Sequence, residues 1–237
     1  MHSADDAAGP PYSGGAEPIV RAAAATSAAV DRVAGSLASG GEPSAAGVAE
    51  SAAADGRFEI RLSGSGGQGL ILAAVILAEA AVSLGKEVVQ SQSYGPEARG
   101  GASQAAVIIS DDEIDYPEVE AADLTLCLSQ PAFDKFAPQT RPGGLVLYDS
   151  GLVTPGSFYG ARLMGLPFTQ TAQRQAGTPM AANVVSLGAI VALVPAVDRE
   201  ALAASVAKRL PAKVVAANLK ALAAGAELVE RAAGSGA

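Results

Sequence analysis

The stretch RFEIRLSGSGGQGLILAAVILAEAAVSL, residues 57–84, decides the fold of this 237-residue chain. Residues 57–62 alternate in polarity and predict a short β-strand. A glycine-rich turn, residues 64–69, follows the strand. Residues 67–84 are apolar on nearly every side and predict a buried helix. A strand, a tight turn and a buried helix in this order are typical of the first unit of an α/β sheet.

The rest of the body alternates in the same way. Short apolar runs bounded by Gly, Pro and Asp predict strands at 87–91, 104–110, 124–128, 145–148 and 161–165. The helical periodicity predicts a short helix at 130–136 and longer ones at 170–176, 180–194, 198–209 and 211–231. We therefore predict an α/β, Rossmann-like single domain over residues 57–232, with a largely parallel central sheet and a helical C-terminal third.

Residues 1–56 differ from this body in composition. They are rich in Ala, Gly and Ser, and their seven acidic and two basic residues give a net charge of −5 out of the −8 of the whole chain. Because so few large apolar side chains are present, we predict a flexible, mostly disordered extension. The alternative is a helix at 17–38 that orders against a partner, with one apolar stripe formed by Ile19, Ala23, Val30, Val33 and Leu37.

The composition excludes several kinds of chemistry. The chain has one Cys, one His and no Trp, so it cannot supply the thiolates of an iron–sulfur cluster, and neither a zinc site nor a Ser–His–Asp unit is expected. We assign no catalytic residue and no metal ligand. The acidic net charge does not suit nucleic acid, no apolar run is long enough to span a membrane, and no secretory signal is visible. The expected location is the cytoplasm.

The glycine-rich turn is the sharpest local feature. Gly64, Gly66 and Gly69 satisfy the pattern GxGxxG, and the helix that follows offers free N–H groups to an anion. We assign the turn to cofactor binding through Gly64, Gly66, Gly67, Gln68 and Gly69. The alternative is that these glycines serve only close packing between strand and helix.

Three common uses of such a turn do not fit. A P-loop needs a Lys followed by Ser or Thr, and Gln68, Gly69 and Leu70 stand there instead. A dinucleotide site needs an acidic residue near the end of the second strand, which here ends in residues 88–91 without one. An adenosylmethionine site is disfavoured for the same reason.

A second glycine cluster, SQSYGPEARGG at 91–101, follows the second predicted strand. In an α/β sheet it would lie at the same carboxyl edge as the first turn. It offers a hydroxyl, a carboxylate and a guanidinium in one loop, and we assign to the site Tyr94, Gly95, Glu97, Arg99, Gly100 and Gly101. The alternative is a Glu97–Arg99 pair that only shapes the loop.

Four other features have simpler interpretations. Cys127 lies in an apolar strand and is predicted to be a core residue, and the consecutive acids at 111–113 predict a solvated turn. Gln130 follows a strand and could point into the cleft. Asn183 starts an apolar helix and is either a hydrogen-bonding residue at the helix end or, as we assign it, part of the site.

At these blocks the sequence resembles a known family. The blocks GSGGQG at 64–69, SYGPEARGGAS at 93–103, IISDDEIDYP at 108–117 and NVVSLGA at 183–189 resemble the gamma subunit of the 2-oxoacid:ferredoxin oxidoreductases, most of all the 2-oxoglutarate type. Residues 211–225 are similar to the terminal helix of that family. The resemblance covers about 57–229, and residues 1–56 have no counterpart in it.

The resemblance implies a role inside a multi-subunit enzyme. Such enzymes use thiamine diphosphate with Mg, coenzyme A and [4Fe–4S] clusters to convert a 2-oxoacid into acyl-CoA, CO2 and reduced ferredoxin. The cofactors are expected on alpha and beta partner subunits, with a ferredoxin-like delta subunit as a further candidate. The gamma chain would help to form the coenzyme A site and would be inactive alone.

Three alternatives stay open at this point. The chain could serve a family member that acts on pyruvate, an aryl or a branched-chain 2-oxoacid. It could instead be a stand-alone Rossmann-like nucleotide-binding protein, or a scaffold whose glycines serve packing alone.

Overall fold

The structure, a computed structural model, describes residues 56–93, 101–156 and 160–234. The predictions for the extension, including the helix at 17–38, lie outside these residues. Arg57, where the predicted domain begins, is the first residue of the first strand.

Six strands and six helices make up the described domain. The strands are β1 (Arg57–Ser65), β2 (Glu87–Ser93), β3 (Ala102–Ser110), β4 (Ala122–Cys127), β5 (Thr140–Asp149) and β6 (Arg162–Leu166). The helices are α1 (Leu70–Ser83), α2 (Gln130–Phe136), α3 (Phe168–Ala176), α4 (Ala182–Leu193), α5 (Arg199–Arg209) and α6 (Ala212–Gly234). Short 3-10 turns at Ala137–Gln139 and Pro179–Ala181 precede β5 and α4.

The strands form one sheet in the order β2-β3-β1-β4-β5-β6. β1, β4, β5 and β6 are parallel, whereas β3 runs antiparallel to both of its neighbours, β1 and β2. The largely parallel sheet is therefore confirmed, with one reversed strand. Residues 94–101 are too few for the crossover that a parallel pair needs, so the chain turns back and inserts β3 beside β2.

Helices cover both faces of the sheet. On one face α1 and α4 bury the inward side chains of the central strands, including Ile60, Leu62, Leu124 and Leu126, with α3, α5 and α6 completing the layer. On the other face a smaller cluster joins the side chains of Cys127, Phe133, Val146 and Val153. The central strands are buried on both sides, which is why their sequences read as continuous apolar runs.

Helices α4 and α6 pack closely at two glycines. A Cβ added to Gly188 would lie 1.9 Å from the carbonyl oxygen of Leu222, and one added to Gly225 would lie 1.9 Å from that of Val185. Only glycine allows the two backbones to approach so closely. The blocks at 183–189 and 211–225 are thus the two sides of one helix contact.

Candidate ligand site at the carboxyl edge of the sheet

The turns that follow β1, β4 and β5 meet at one edge of the sheet. The strand pairing places Ser65 opposite Ala102 and Ser93 opposite Gln104, so both ends of the second glycine cluster lie at this edge as well. Of the residues assigned to that cluster, Gly101 is described and half-buried beside the start of β3. The others, Tyr94, Gly95, Glu97, Arg99 and Gly100, lie outside the described residues.

The first glycine turn divides into a buried and an open part. A Cβ on Gly64 would lie 2.3 Å from Oε1 of Gln68, and Gly64 is buried. Gly66 and Gly67 are exposed, and a Cβ on Gly67 would meet no atom within 4 Å. Gly67 and Gly69 have φ angles of +88° and +71°, which other residues rarely adopt. Gly64 and Gly69 therefore serve packing, while Gly66 and Gly67 leave the backbone accessible.

Gln68 connects the ends of two strands. Its Oε1 accepts a hydrogen bond from the Ser65 backbone N–H at 2.7 Å, and its Nε2 donates to the Leu128 carbonyl at 2.9 Å. This places the amide between β1 and β4, where it holds the shape of the turn.

Asn183 holds the start of α4 against the same turn. Its Nδ2 donates to the Gly69 carbonyl at 3.1 Å, and its Oδ1 accepts from the Val184 N–H at 2.8 Å. The side chain is buried, with an exposed fraction of 5%. The N-terminal ends of α1 and α4 consequently converge at Gly69, and both helix dipoles present their positive ends at this edge.

Ser129, which the sequence interpretation did not single out, follows β4 at the same edge. It is 8% exposed, and its Oγ is buried without a hydrogen-bond partner among the described residues. The residue before it, Leu128, is the one that Gln68 contacts. A buried hydroxyl without a partner is unusual in proteins, so Ser129 is a candidate contact for a ligand. A serine directly after an apolar strand is the signal that could have identified it.

Asp149 is a second residue that the sequence interpretation missed. It ends β5, is fully buried, and accepts hydrogen bonds from the backbone N–H of Gly151 at 3.0 Å and of Thr169 at 2.8 Å. The Thr169 hydroxyl donates to the same carboxylate at 2.5 Å. These contacts join the β5 loop to the first turn of α3, so Asp149 shapes the edge.

The structure also shows the surroundings of Cys127 and Gln130. Cys127 is buried as predicted, and burial raises the pKa of its thiol to about 12. Gln130 is half-buried, and its side chain joins α2 to the loop after β5: its Nε2 donates to Asp134 at 2.8 Å and its Oε1 accepts from the Thr154 N–H at 2.8 Å.

The acids at 111–113 are exposed, as predicted for a solvated turn, and Asp111 forms an ion pair with Lys86. Across residues 56–93, 101–156 and 160–234, no group of three or more His, Cys, Asp and Glu could hold a metal ion. Within the same residues, no helix has the length and apolarity needed to cross a membrane.

Two other buried charges, Arg61 and Asp123, lie toward the opposite edge of the sheet. Arg61 lies in β1 and donates to the Val119 carbonyl at 2.6 Å, and burial lowers the pKa of its guanidinium. Asp123 accepts from the Glu59 N–H at 2.6 Å and lies 2.7 Å from Arg141, while burial raises the pKa of its carboxyl. These groups join loops to strands and lie away from the glycine turn.

Residues 59–228 match the family model described as pyruvate ferredoxin/flavodoxin oxidoreductase. A curated relative, the 2-oxoglutarate synthase subunit KorC of Methanocaldococcus jannaschii, is 44% identical over 177 residues, which are 73% of this chain and 95% of the relative. The predicted resemblance is confirmed by both matches.

Solved structures agree with this fold. The gamma subunit of a keto/oxoacid ferredoxin oxidoreductase from Geobacter sulfurreducens aligns with a TM-score of 0.67 and 46% identity, over 73% of this chain and 99% of that one. A 2-oxoglutarate:ferredoxin oxidoreductase from Magnetococcus marinus, solved with 2-oxoglutarate, coenzyme A and succinyl-CoA bound, aligns with a TM-score of 0.68 and 24% identity. The alignment covers 74% of this chain and 31% of that one.

Proposed function

Since the chain belongs to the pyruvate ferredoxin/flavodoxin oxidoreductase family, as a gamma subunit of the 2-oxoacid:ferredoxin type, we propose that it forms part of the coenzyme A site of a cytoplasmic multi-subunit enzyme. The enzyme would convert a 2-oxoacid, with 2-oxoglutarate favoured, into acyl-CoA, CO2 and reduced ferredoxin. The chain would pack against alpha and beta subunits and would be inactive alone.

The observation that carries the proposal is the exposed backbone of Gly66 and Gly67. It stands where the N-terminal ends of two helices converge, and the Gly69–Asn183 contact keeps them together. Positive helix ends with a glycine turn favour phosphate, and coenzyme A carries phosphates. The unpartnered hydroxyl of Ser129 adds a neutral donor at the same edge.

The second glycine cluster would complete the site. Both of its ends lie at the edge that carries the first turn, and Arg99 is the one cation in the cluster. A guanidinium can bind a phosphate through two parallel hydrogen bonds. We propose that Tyr94, Glu97 and Arg99 contact coenzyme A from this side, and that Gly95, Gly100 and Gly101 shape the loop.

This chain would position coenzyme A, whose thiol accepts the acyl group. Thiamine diphosphate, when bound by the partner subunits, supplies the decarboxylation chemistry, and iron–sulfur clusters on partner chains supply electron transfer. Among the described residues, no group of three or more His, Cys, Asp and Glu could hold a metal ion. Fixing the coenzyme and excluding water would favour transfer of the acyl group to the thiol over hydrolysis.

The choice of 2-oxoglutarate follows the named relatives. The 44% identical relative is named a 2-oxoglutarate synthase subunit. A 39% identical match, over 71% of this chain, is a ketoisovalerate oxidoreductase subunit from Methanothermobacter thermautotrophicus. The substrate side chain would contact partner subunits, so turnover of the assembled enzyme with each 2-oxoacid tests this choice.

Gly66→Ala tests the coenzyme A site. Gly66 is exposed and is not among the glycines with a positive φ, so alanine needs no left-handed backbone there, and its methyl group would obstruct the backbone where a phosphate would bind. In the assembled enzyme we expect the coenzyme A concentration for half-maximal turnover to rise at least tenfold, while CO2 exchange from the 2-oxoacid is retained.

Gly156→Ala is the matched control. Gly156 also lacks a positive φ, and its added Cβ would meet no atom within 4 Å. Its coenzyme A dependence should equal that of the wild type. If Gly66→Ala leaves the coenzyme A dependence unchanged in an intact complex, the glycine turn serves packing alone and the proposed site is wrong.

A further inference from the structure

A cleft of about 450 Å³ lies beside the loop that follows β5, and none of the glycine-turn residues 64–69 lines it. Three segments form its walls: residues 151–152 after β5, residues 169–174 of α3, and Pro179 in the 3-10 turn before α4. Because residues 151–152 follow a parallel strand, the cleft lies at the carboxyl edge of the sheet. A volume of this size is typical of clefts that hold small molecules.

The walls of the cleft are held by Asp149, whose side chain is fully buried. Its carboxylate accepts hydrogen bonds from the backbone N–H of Gly151 at 3.0 Å and of Thr169 at 2.8 Å. The Leu152 N–H donates to the carbonyl oxygen of the same residue at 3.0 Å. One residue therefore joins two of the three segments, and a cleft with fixed walls loses little conformational freedom when a ligand binds.

Two polar side chains of α3 are available to a ligand in the cleft. Gln170 and Arg174 line it, and neither forms a hydrogen bond or an ion pair with another described residue. They stand four positions apart and so share one side of the helix. Arg174 is the only charged side chain among the described residues that line the cleft, in a chain of net charge −8. The cleft therefore favours an anion.

The rest of the cleft surface is mainly apolar. Leu152, which is 48% exposed, and the exposed Pro179 supply it from two different segments. A flat ring can lie against such surfaces. A glutamine amide can form two hydrogen bonds with the N6 and N7 edge of adenine, and a guanidinium can bind a phosphate through two more. These three properties together suit an adenine ring that carries a phosphate.

We propose that this cleft binds an adenine nucleoside phosphate, with the ring against the apolar walls, its polar edge at Gln170 and its phosphate on Arg174. Two sources offer this chemistry: a free nucleotide, and the adenosine end of coenzyme A. Pro179 precedes Asn183 by four residues, so the cleft lies within about 14 Å of the Asn183–Gly69 contact. The second source rests on the proposed function, whereas binding of a free nucleotide does not.

Calorimetric titration of the full chain with AMP, adenosine and inorganic phosphate tests the site. We expect saturable binding of AMP, tighter than that of adenosine or phosphate. Arg174→Gln should weaken AMP binding at least tenfold and leave adenosine binding unchanged, because it removes only the phosphate contact. Leu152→Ser should weaken both, because it removes a wall for the ring. Both side chains are exposed, so each variant should keep the melting temperature of the wild type.

Lys208→Gln is the matched control. Lys208 is an exposed cation on α5 and does not line the cleft, so this variant loses the same charge elsewhere on the surface. It should bind AMP as the wild type does. The inference is overturned if AMP binding to the wild type does not saturate, or if Arg174→Gln and Lys208→Gln bind AMP equally well.

Competition with coenzyme A distinguishes the two sources. If coenzyme A displaces AMP from the wild type, the cleft takes the adenosine end of the coenzyme. Arg174→Gln should then raise the coenzyme A concentration for half-maximal turnover of the assembled enzyme. If AMP binds equally well with coenzyme A at saturation, the cleft takes a free nucleotide. Either result supports a nucleotide site.

Failure of this inference and failure of the proposed function give different results. If Gly66→Ala changes the coenzyme A dependence of the assembled enzyme but AMP does not bind, only the nucleotide site is wrong. If AMP binding responds to Arg174→Gln while Gly66→Ala leaves the coenzyme A dependence unchanged, the nucleotide site stands and the proposed site at the glycine turn is wrong.

Discussion

The side-chain amide of Asn183 donates a hydrogen bond of 3.1 Å to the carbonyl oxygen of Gly69, 114 positions earlier in the chain. A Cβ at Gly69 would lie 2.4 Å from the donating Nδ2, so glycine is required at that position for this contact as well as for its φ of +71°. The glycine turn thus depends on a residue of the C-terminal third for its shape.

Asn183→Ala should destabilise the full chain by about 1–3 kcal/mol, because its buried side chain loses two hydrogen bonds, one to the Gly69 carbonyl and one from the Val184 N–H. Asn183→Asp should cost at least as much, since it places a carboxylate oxygen against the carbonyl. Urea unfolding followed by circular dichroism measures both. Asn218→Ala, in which a half-buried amide on α6 loses a bond of 2.9 Å to Val214, is the control and should cost less. Equal losses for the two sites would contradict the anchoring role.

Gly188→Ala should be among the most damaging single methyl additions in the described domain. Its Cβ would lie 1.9 Å from the Leu222 carbonyl, so α4 and α6 would have to separate. Overpacking of this kind costs about 1–3 kcal/mol or more. Thermal unfolding checks it against Gly156→Ala, where the added methyl meets open space. A melting temperature equal to that of the control would show that the helix contact can adjust freely.

The Cys127 thiol should be unreactive in the folded chain. Burial raises its pKa to about 12, whereas an exposed thiol has a pKa near 9, so the nucleophilic thiolate is absent at neutral pH. The sign of the pH effect follows: the folded state keeps a proton that the unfolded state releases, so this residue lowers stability as the pH rises from about 9 to about 12. Cys127 is the only cysteine, so a thiol reagent at pH 8 reports on it alone, before and after urea is added. Rapid stoichiometric labelling of the folded chain would contradict the prediction.

Ser129→Ala separates a ligand contact from a structural one. The hydroxyl has no partner among the described residues, so its removal should leave the melting temperature unchanged or slightly higher. In the assembled enzyme the same variant should weaken the use of coenzyme A by about tenfold, the equivalent of one neutral hydrogen bond. Ser63→Ala is a contrasting control, because Ser63 donates to the Leu126 carbonyl at 2.6 Å and its loss should lower stability. A destabilised Ser129→Ala with normal coenzyme A use would indicate a structural hydroxyl.

Arg99→Ala should weaken coenzyme A use more than 2-oxoacid decarboxylation. The loss of a charge-assisted hydrogen bond is worth about 1.5–3 kcal/mol, which corresponds to one to two decades in apparent affinity. Coenzyme A saturation and CO2 exchange are measured on the same intact preparation. If Arg99 instead pairs with Glu97 or with a partner carboxylate, both half-reactions decline together or the complex dissociates.

Local structure followed closely from the sequence. The helix predicted at 130–136 has those bounds in the structure, because Pro131 suits its first turn and its apolar side chains share one face. β1 was predicted to end at residue 62, but it continues to Ser65. Residues 63–65 have little strand propensity of their own, and they remain in the sheet because β3 pairs with them.

Other features depended on contacts between distant parts of the chain. β3 runs antiparallel to β1 and β2 because of how it pairs with them. The hydrophobic pattern of its own sequence does not show the direction in which it runs. One side of α1 is open, with Val82 59% exposed, although the sequence predicts a helix buried all round, because apolar residues on every side do not show which side the domain covers. Gln68 and Asn183 were assigned to the site by type and position, and only the fold gave them Leu128 and Gly69 as partners.

The sequence by itself determined the α/β architecture and the family, because periodicity and glycine spacing are local properties. The tertiary structure alone decided which glycines are buried and which are open, and it alone brought the ends of α1 and α4 to one point. The physical reason is that a contact between residues 114 positions apart, such as the Asn183–Gly69 hydrogen bond, forms only when the whole domain folds. No pattern within a single segment carries that information.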